Sequence, residues 1–229
     1  MVIAPLFTVA AAGLAYGRAV RRTRRWPAHR SACFGAGLVV LAVALATPLE
    51  TWADRLQSVH MAQHMLLLLV APPLLCAGAP ATLALRTLRP PARRRLASVL
   101  RLVHPAVGIV AFAAALLAVH LTPLFEAGGI VHVAEHVALV TAGQLFWSPL
   151  VGADPHGVGA AGRIAAALAA MAPMGALSAV LLTTGRRGAA VVMWVGGGLV
   201  LTVAVLVLAG LALWQEEQRM RRREAVGAR

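Results

Sequence analysis

The sequence predicts an all-α, polytopic membrane protein: a bundle of seven transmembrane helices, N-terminus outside and C-terminus cytoplasmic. Three observations carry that prediction. First, 60% of the 229 residues are hydrophobic and only 13% are charged, with a mean hydropathy of +0.79. A soluble domain is about 45–50% apolar and about 25% charged, and a disordered chain is less apolar still. Second, seven segments approach the roughly 20 mostly apolar residues that a helix needs to cross a bilayer. Third, their unbroken apolar runs lack the alternation of barrel strands.

The spans are expected at roughly 1–17, 31–49, 57–79, 102–121, 130–151, 164–182 and 189–214. The first is short. It is a poor secretory signal, because its basic residues follow rather than precede it. Orientation comes from arginine, which supplies all 21 basic residues. Arginines concentrate between spans one and two, between spans three and four, in the tail, and at Arg163. The opposite side holds Arg55, Arg186 and Arg187. The positive-inside rule then sets the termini. The net charge of +13 reports these loops rather than nucleic-acid binding. Trp26, Trp52, Trp147, Trp194 and Trp214 fall near span ends, where indole prefers the headgroup level. Short connections make residues 1–229 a single integral-membrane domain, with a basic tail over 215–229. Pro72–Pro73 should bend or break the inner half of span three, and Pro173 could act alike in span six.

This topology sorts the histidines. His60 and His64 lie in the outer part of span three, His120 ends span four, and His132 and His136 lie in the outer part of span five. His104 precedes His120 by 16 residues, about 24 Å along a helix, and cannot share their site. Each i, i+4 pair occupies one helix face. Two such faces opposed would converge four imidazoles, with His120 as a fifth ligand or a supporting ring. Neutral imidazole is the commonest protein metal ligand. A single buried His is usually only hydrogen-bonded, and polar groups also tie membrane helices together. Five at one depth on three helices favour a functional site, since ionisable groups within spans are costly.

Met61 and Met65 add thioethers near the first pair, and imidazole with thioether favours copper over magnesium or calcium. Glu135 is a candidate to orient an imidazole. Asp54, in the outer 2–3 connection, could attract a cation, although loop carboxylates are usually just solvated. Cys33 and Cys76 read either as small apolar filler or as an inner-side entry point for cuprous ion. Met171, Met174 and Met193 could extend that path, although Met in a helical core is usually packing. His132-Val-Ala-Glu135-His136 also spells the H-x-x-E-H pattern of some zinc peptidases, but no distant carboxylate ligand accompanies it. The chain is therefore expected not to be an enzyme, with intramembrane zinc hydrolysis as an alternative. Zinc or haem are the alternative cofactors to copper, and a metal transporter ranks below a haem-binding redox protein.

The stretch His60-Met-Ala-Gln-His-Met-Leu-Leu-Leu-Leu-Val-Ala-Pro-Pro-Leu-Leu-Cys-Ala-Gly-Ala-Pro80 resembles the signature of the CtaG family. These are multi-span assembly factors of caa3-type cytochrome c oxidase. Thr47-Pro-Leu49, His104-Pro105, His120-Leu121, His132-x-x-Glu-His136, Phe146-Trp-Ser-Pro-Leu-Val-Gly152 and Met193-Trp194 follow in the family's order, from about 35 to 200. Two features depart from the pattern: the 6–7 connection is short, at Thr183–Gly188, and lacks an acidic element, and Val119 stands where a Trp is usual. The resemblance implies a multi-pass protein of the bacterial plasma (inner) membrane. It implies a partner in the oxidase, namely the copper-containing catalytic subunit, and no nucleic-acid partner. A homodimer is left open. Copper, expected as Cu(I), rests on the histidine geometry.

Overall fold

The computed structural model describes residues 3–46, 48–53, 55–121, 129–151 and 158–227. Thr47, Asp54, Gly152 and His156 lie outside the described residues. Within them the structure is helical and contains no strand. Long helices run over Ile3–Arg21 (α1), Ala28–Ala46 (α2), Pro105–Leu121 (α8), Ile130–Val151 (α9) and Ala160–Thr183 (α10). The span expected at 57–79 is Gln57–Met65 (α4), a π-helical stretch Leu66–Val70 and Ala71–Ala77 (α5). The last span is Arg187–Val191 (α11), a second π stretch Val192–Gly197 and Gly198–Gly227 (α12). Short helices α3 (Pro48–Ala53), α6 (Pro80–Thr87) and α7 (Pro90–Leu102) complete the chain.

Five helices among the described residues are long and apolar enough to cross a membrane: those of spans two, three, five, six and seven. The expected fourth span contains only the 17 residues of α8, bent 76° against α7, and the pair together would make a sixth crossing. Helix α1 is not among the five. The arginine-rich 3–4 connection, expected as a loop, folds into α6 and α7. Each starts on a proline, whose fixed φ and missing N–H suit the first helical turn. The expected tail is a helical continuation of the last span. Good helix formers and the ion pairs Glu216–Arg219 and Glu217–Arg221 extend it to Gly227.

The 57–77 span is the hub. It is the most buried of the five, and Leu67, Leu68 and Leu69 have no exposed surface. Such an all-round apolar segment belongs inside a bundle. Helices α2 and α9 flank its C-terminal half and the last span flanks its N-terminal half, while α10 packs on α8 and α12. Glycines permit the closest approaches. A Cβ at Gly143 would lie 2.6 Å from Pro72 Cγ and 2.7 Å from the Leu68 carbonyl oxygen, and one at Gly108 would lie 2.7 Å from the Leu145 oxygen.

Pro72–Pro73 neither breaks nor sharply bends this span. The chain widens into a π turn over Leu66–Val70, which absorbs the missing N–H groups, and α5 begins on the proline pair. Proline at 72 leaves the Leu68 carbonyl without its helical donor. Trp147 Nε1 donates to that oxygen at 3.2 Å. Trp147, four residues from the end of α9, is accordingly buried inside the bundle, whereas Trp52, Trp194 and Trp214 are exposed. The same repair occurs on α2. Pro48 cannot donate to the Ala44 carbonyl, and Gln63 Nε2 does so from α4 at 2.7 Å. Helix α10 runs unbroken through Pro173.

Candidate metal centre

Five imidazoles meet at one end of the bundle. Helix α4 contributes His60 and His64 one turn apart, α9 contributes His132 and His136 likewise, and α8 contributes His120. The four paired rings form a closed quadrilateral. Ring centroids are 4.2 Å apart within each pair, and 5.5 Å apart across the helices, from His60 to His132 and from His64 to His136. His120 stands off one corner, 5.1 Å from His64. His64 is fully buried, and His60, His120 and His136 are each under a tenth exposed.

A directed chain of hydrogen bonds links three of these rings. His120 Nδ1 lies 2.7 Å from the Leu116 carbonyl, which only accepts, so this nitrogen carries the proton. In a neutral ring Nε2 is then an acceptor, and His64 Nδ1 donates to it at 3.1 Å. That leaves His64 Nε2 as an acceptor for His60 Nε2, 2.9 Å away. The tautomers of all three rings follow from one backbone carbonyl. His136 Nε2 is buried without a hydrogen-bond partner, as are both carboxyl oxygens of Glu135. Glu135 Oε2 stands 3.6 Å from His132 Nδ1, near enough to orient that ring electrostatically.

Among the described residues no group of three or more His, Cys, Asp or Glu side chains is placed so that it could hold a metal ion. The nitrogens face one another instead. The donor set nevertheless suits a metal ion. Tetrahedral ligands at about 2.0 Å from a metal stand about 3.3 Å from one another. The 2.9 Å contact between His60 Nε2 and His64 Nε2 falls just inside that edge, whereas the 3.1 Å contact to His120 uses the other nitrogen of His64 and belongs to a supporting hydrogen bond. The orphaned His136 nitrogen supplies a lone pair or a donor with no competing partner.

The other predicted residues lie elsewhere. Asp54 is outside the described residues. Met65 turns to the last span, where its sulfur would lie 3.3 Å from a Cβ at Gly197. Cys76 is buried on α5, donating to Gln144 Oε1 at 2.9 Å, and Cys33 is half-buried on α2. Cys76 is 12 residues beyond His64, about 18 Å along the helix. His104 does not join the cluster; its Nδ1 accepts the Ala106 N–H at 3.2 Å and caps α8. Sequence reasoning missed Gln63, which is completely buried beside the site. The signal was available: a polar residue within a span, opposite an Ala-x-x-x-Pro break on its neighbour.

With the fold and the histidine ring in place, comparison with known proteins becomes informative. A family model described as cytochrome c oxidase caa3 assembly factor (Caa3_CtaG) matches residues 13–214. The chain belongs to that family. Its match covers every helix that carries a site histidine, so the resemblance seen in the 60–80 stretch extends through nearly the whole bundle. Curated relatives include Uncharacterized protein Mb0105 of Mycobacterium bovis, 34% identical over 165 residues, covering 64% of this chain and 25% of the relative. Uncharacterized protein MT0111 of Mycobacterium tuberculosis matches to the same extent. Uncharacterized protein ML1998 of Mycobacterium leprae is 32% identical, covering 62% of this chain and 25% of the relative. The chain thus spans about a quarter of the length of these relatives. No solved structure matches it.

Proposed function

We propose that this member of the oxidase-assembly family carries copper, as Cu(I), to the copper-containing catalytic subunit of the oxidase. Copper is cargo in this reading. His60, His64, His132 and His136 are its ligands, and His120 holds His64 in the correct tautomer. The observation that carries the proposal is the closed ring of four imidazoles, drawn from two facing helices and almost shut off from solvent. A soft or borderline cation accepts neutral nitrogen donors, whereas magnesium and calcium want oxygen. The cluster lies near one end of its helices, so cargo could leave by lateral contact with a client helix at that membrane face. By the arginine distribution this is the outer face of the bacterial plasma membrane. Because i, i+4 pairs place two imidazoles on each helix, the arrangement favours a metal ion over haem, which takes one axial ring per helix.

Copper titration and metal analysis of detergent-purified protein test the proposal. Wild type is compared with the double variants His60→Ala/His64→Ala and His132→Ala/His136→Ala. Both variants should lose copper. Equal binding in all three would remove the histidine site. Oxidase activity and copper content in a deletion strain test the client role separately: a fully metallated oxidase there would refute delivery.

A further inference from the structure

The last span packs beside α4 with a constant register. A Cβ at Gly188 would lie 3.4 Å from Ser58 Cβ, and one at Gly197 would lie 3.3 Å from both Met65 Sδ and Leu69 Cδ1. The two helices therefore run the same way with an offset of roughly 130 residues. That register sets Met193 level with Gln63, between Met61 and Met65. From the third side α10 brings Met174, whose methyl occupies the space a Gly197 side chain would take, 2.0 Å from the Cβ position. Met61, Met65, Met174 and Met193 are 1%, 6%, 3% and 0% exposed. Met65 and Met174 meet at Gly197, and the register brings Met61 and Met193 one turn along the same three-helix seam, about 100° around α4 from the histidines. A cavity of about 230 Å³ between α10 and α12, bordered by Met171, Met174, Trp194 and Thr202, opens onto it.

Single buried methionines commonly fill irregular gaps in a core, but four along one seam also gather four soft donors. Leucine fills a helix seam with better-defined rotamers, and this chain uses it freely elsewhere. Gly197 also makes room for a thioether where any larger residue would close the seam. A neutral, buried sulfur cluster has no use for a hard cation, which requires oxygen ligands. It matches a soft, singly charged one, whose charge thioethers can hold without a buried anion.

We propose that Met61, Met65, Met174 and Met193 form a second cation site, specific for a soft monovalent ion such as Cu(I) and separate from the histidine ring. The site stands independently of the copper-delivery reading. If both hold, α4 carries nitrogen donors on one face and sulfur donors about 100° around it, so that a cuprous ion can pass around a single helix.

The test uses silver(I), a redox-inert soft cation, on the full chain in detergent with Cys33→Ala and Cys76→Ala, so that methionine is the remaining sulfur. X-ray absorption at the silver edge should show sulfur neighbours. Nitrogen neighbours alone, or no retained silver, would overturn the proposal. Replacing all four methionines by leucine preserves volume. This variant should lose the sulfur-bound silver equivalent while keeping copper on the histidines. Undiminished sulfur-bound silver in the leucine variant would place the ion elsewhere and sink the idea. Should that variant fail to fold, Met193→Leu alone should still lower the number of sulfur neighbours, and an unchanged spectrum would count against the site. Loss of copper from the histidine variants with silver retained, or the reverse, distinguishes the two sites.

Discussion

Two places along the 57–77 span treat buried polar atoms differently. In the C-terminal half, proline strips the Leu68 carbonyl of its donor, and the bundle supplies a replacement in Trp147. At the level of Gln63, the Ala44 carbonyl freed by Pro48 is capped in the same manner. Around the histidine ring, by contrast, the His136 nitrogen and both Glu135 oxygens on α9, with Gln63 Oε1 on α4, are buried without a hydrogen-bond partner. An unpaired polar group in a water-free interior is destabilising. A fold that repairs its backbone defects from neighbouring helices, yet leaves polar side chains without hydrogen bonds at one spot, is what the proposed site requires of atoms kept for a ligand. The contrast between repaired and reserved atoms distinguishes a structural polar contact from a candidate site in this molecule.

The largest expected effect strikes the repaired place. Gly143→Val should prevent recovery of folded protein, because its Cβ would meet Pro72 at 2.6 Å and the Leu68 oxygen at 2.7 Å. Overpacking typically destabilises by about 1–3 kcal/mol, and here a backbone atom blocks relaxation. Detergent-extractable yield and size-exclusion profile measure it; a wild-type profile would break the comparison at its structural end. Next comes Trp147→Phe, which keeps the ring but leaves the Leu68 carbonyl bare. A loss of about 1–3 kcal/mol is expected, read as a lower melting temperature with copper binding unchanged. If copper binding fell instead, the two places would not be separable.

The reserved place responds in affinity more than in stability. His120→Ala removes the ring that fixes the His64 tautomer through the Leu116 carbonyl. Outer supports of this kind typically contribute about 10–100-fold to metal affinity. Copper binding should weaken by that factor rather than vanish, and full loss would promote His120 to a ligand. Acidification acts in the same direction, because a protonated imidazole has no lone pair for a metal. Copper retention should therefore fall monotonically as pH is lowered, as monitored by metal content after desalting at each pH.

Much of this was readable from residue order. The i, i+4 spacing of His60/His64 and His132/His136 predicts two paired rings at one depth, and the structure brings those pairs into one ring. Apolar runs located four of the five spans to within about four residues at each end, and the start but not the end of the last, which runs on to Ala225. Other features depended on the third dimension. Arginine density in 86–101 masked two helices, since charge pattern registers side of the membrane and not backbone state. Pro72–Pro73 pointed to a break, because the compensating donor, Trp147, lies 75 residues further along. The direction in which Met61 and Met65 point could not be chosen until the partner of each α4 face was known.

The smallest effect belongs to the basic helical end, where neither repair nor reservation applies. Arg221 Nη2 donates to Glu217 Oε1 at 2.5 Å, and Arg219 Nη1 lies 3.5 Å from Glu216 Oε2, all on exposed surface. Water solvates each charge equally well when its partner is removed, so an exposed i, i+4 pair contributes only about 0.2–0.5 kcal/mol. Glu217→Ala should therefore leave the melting temperature within about a degree of wild type and copper binding untouched, and added salt should erase even that difference. A large destabilisation would mean that the helical end packs against something. Unpaired polar atoms matter here through exclusion of water, and a substitution outside the bundle has none to exploit.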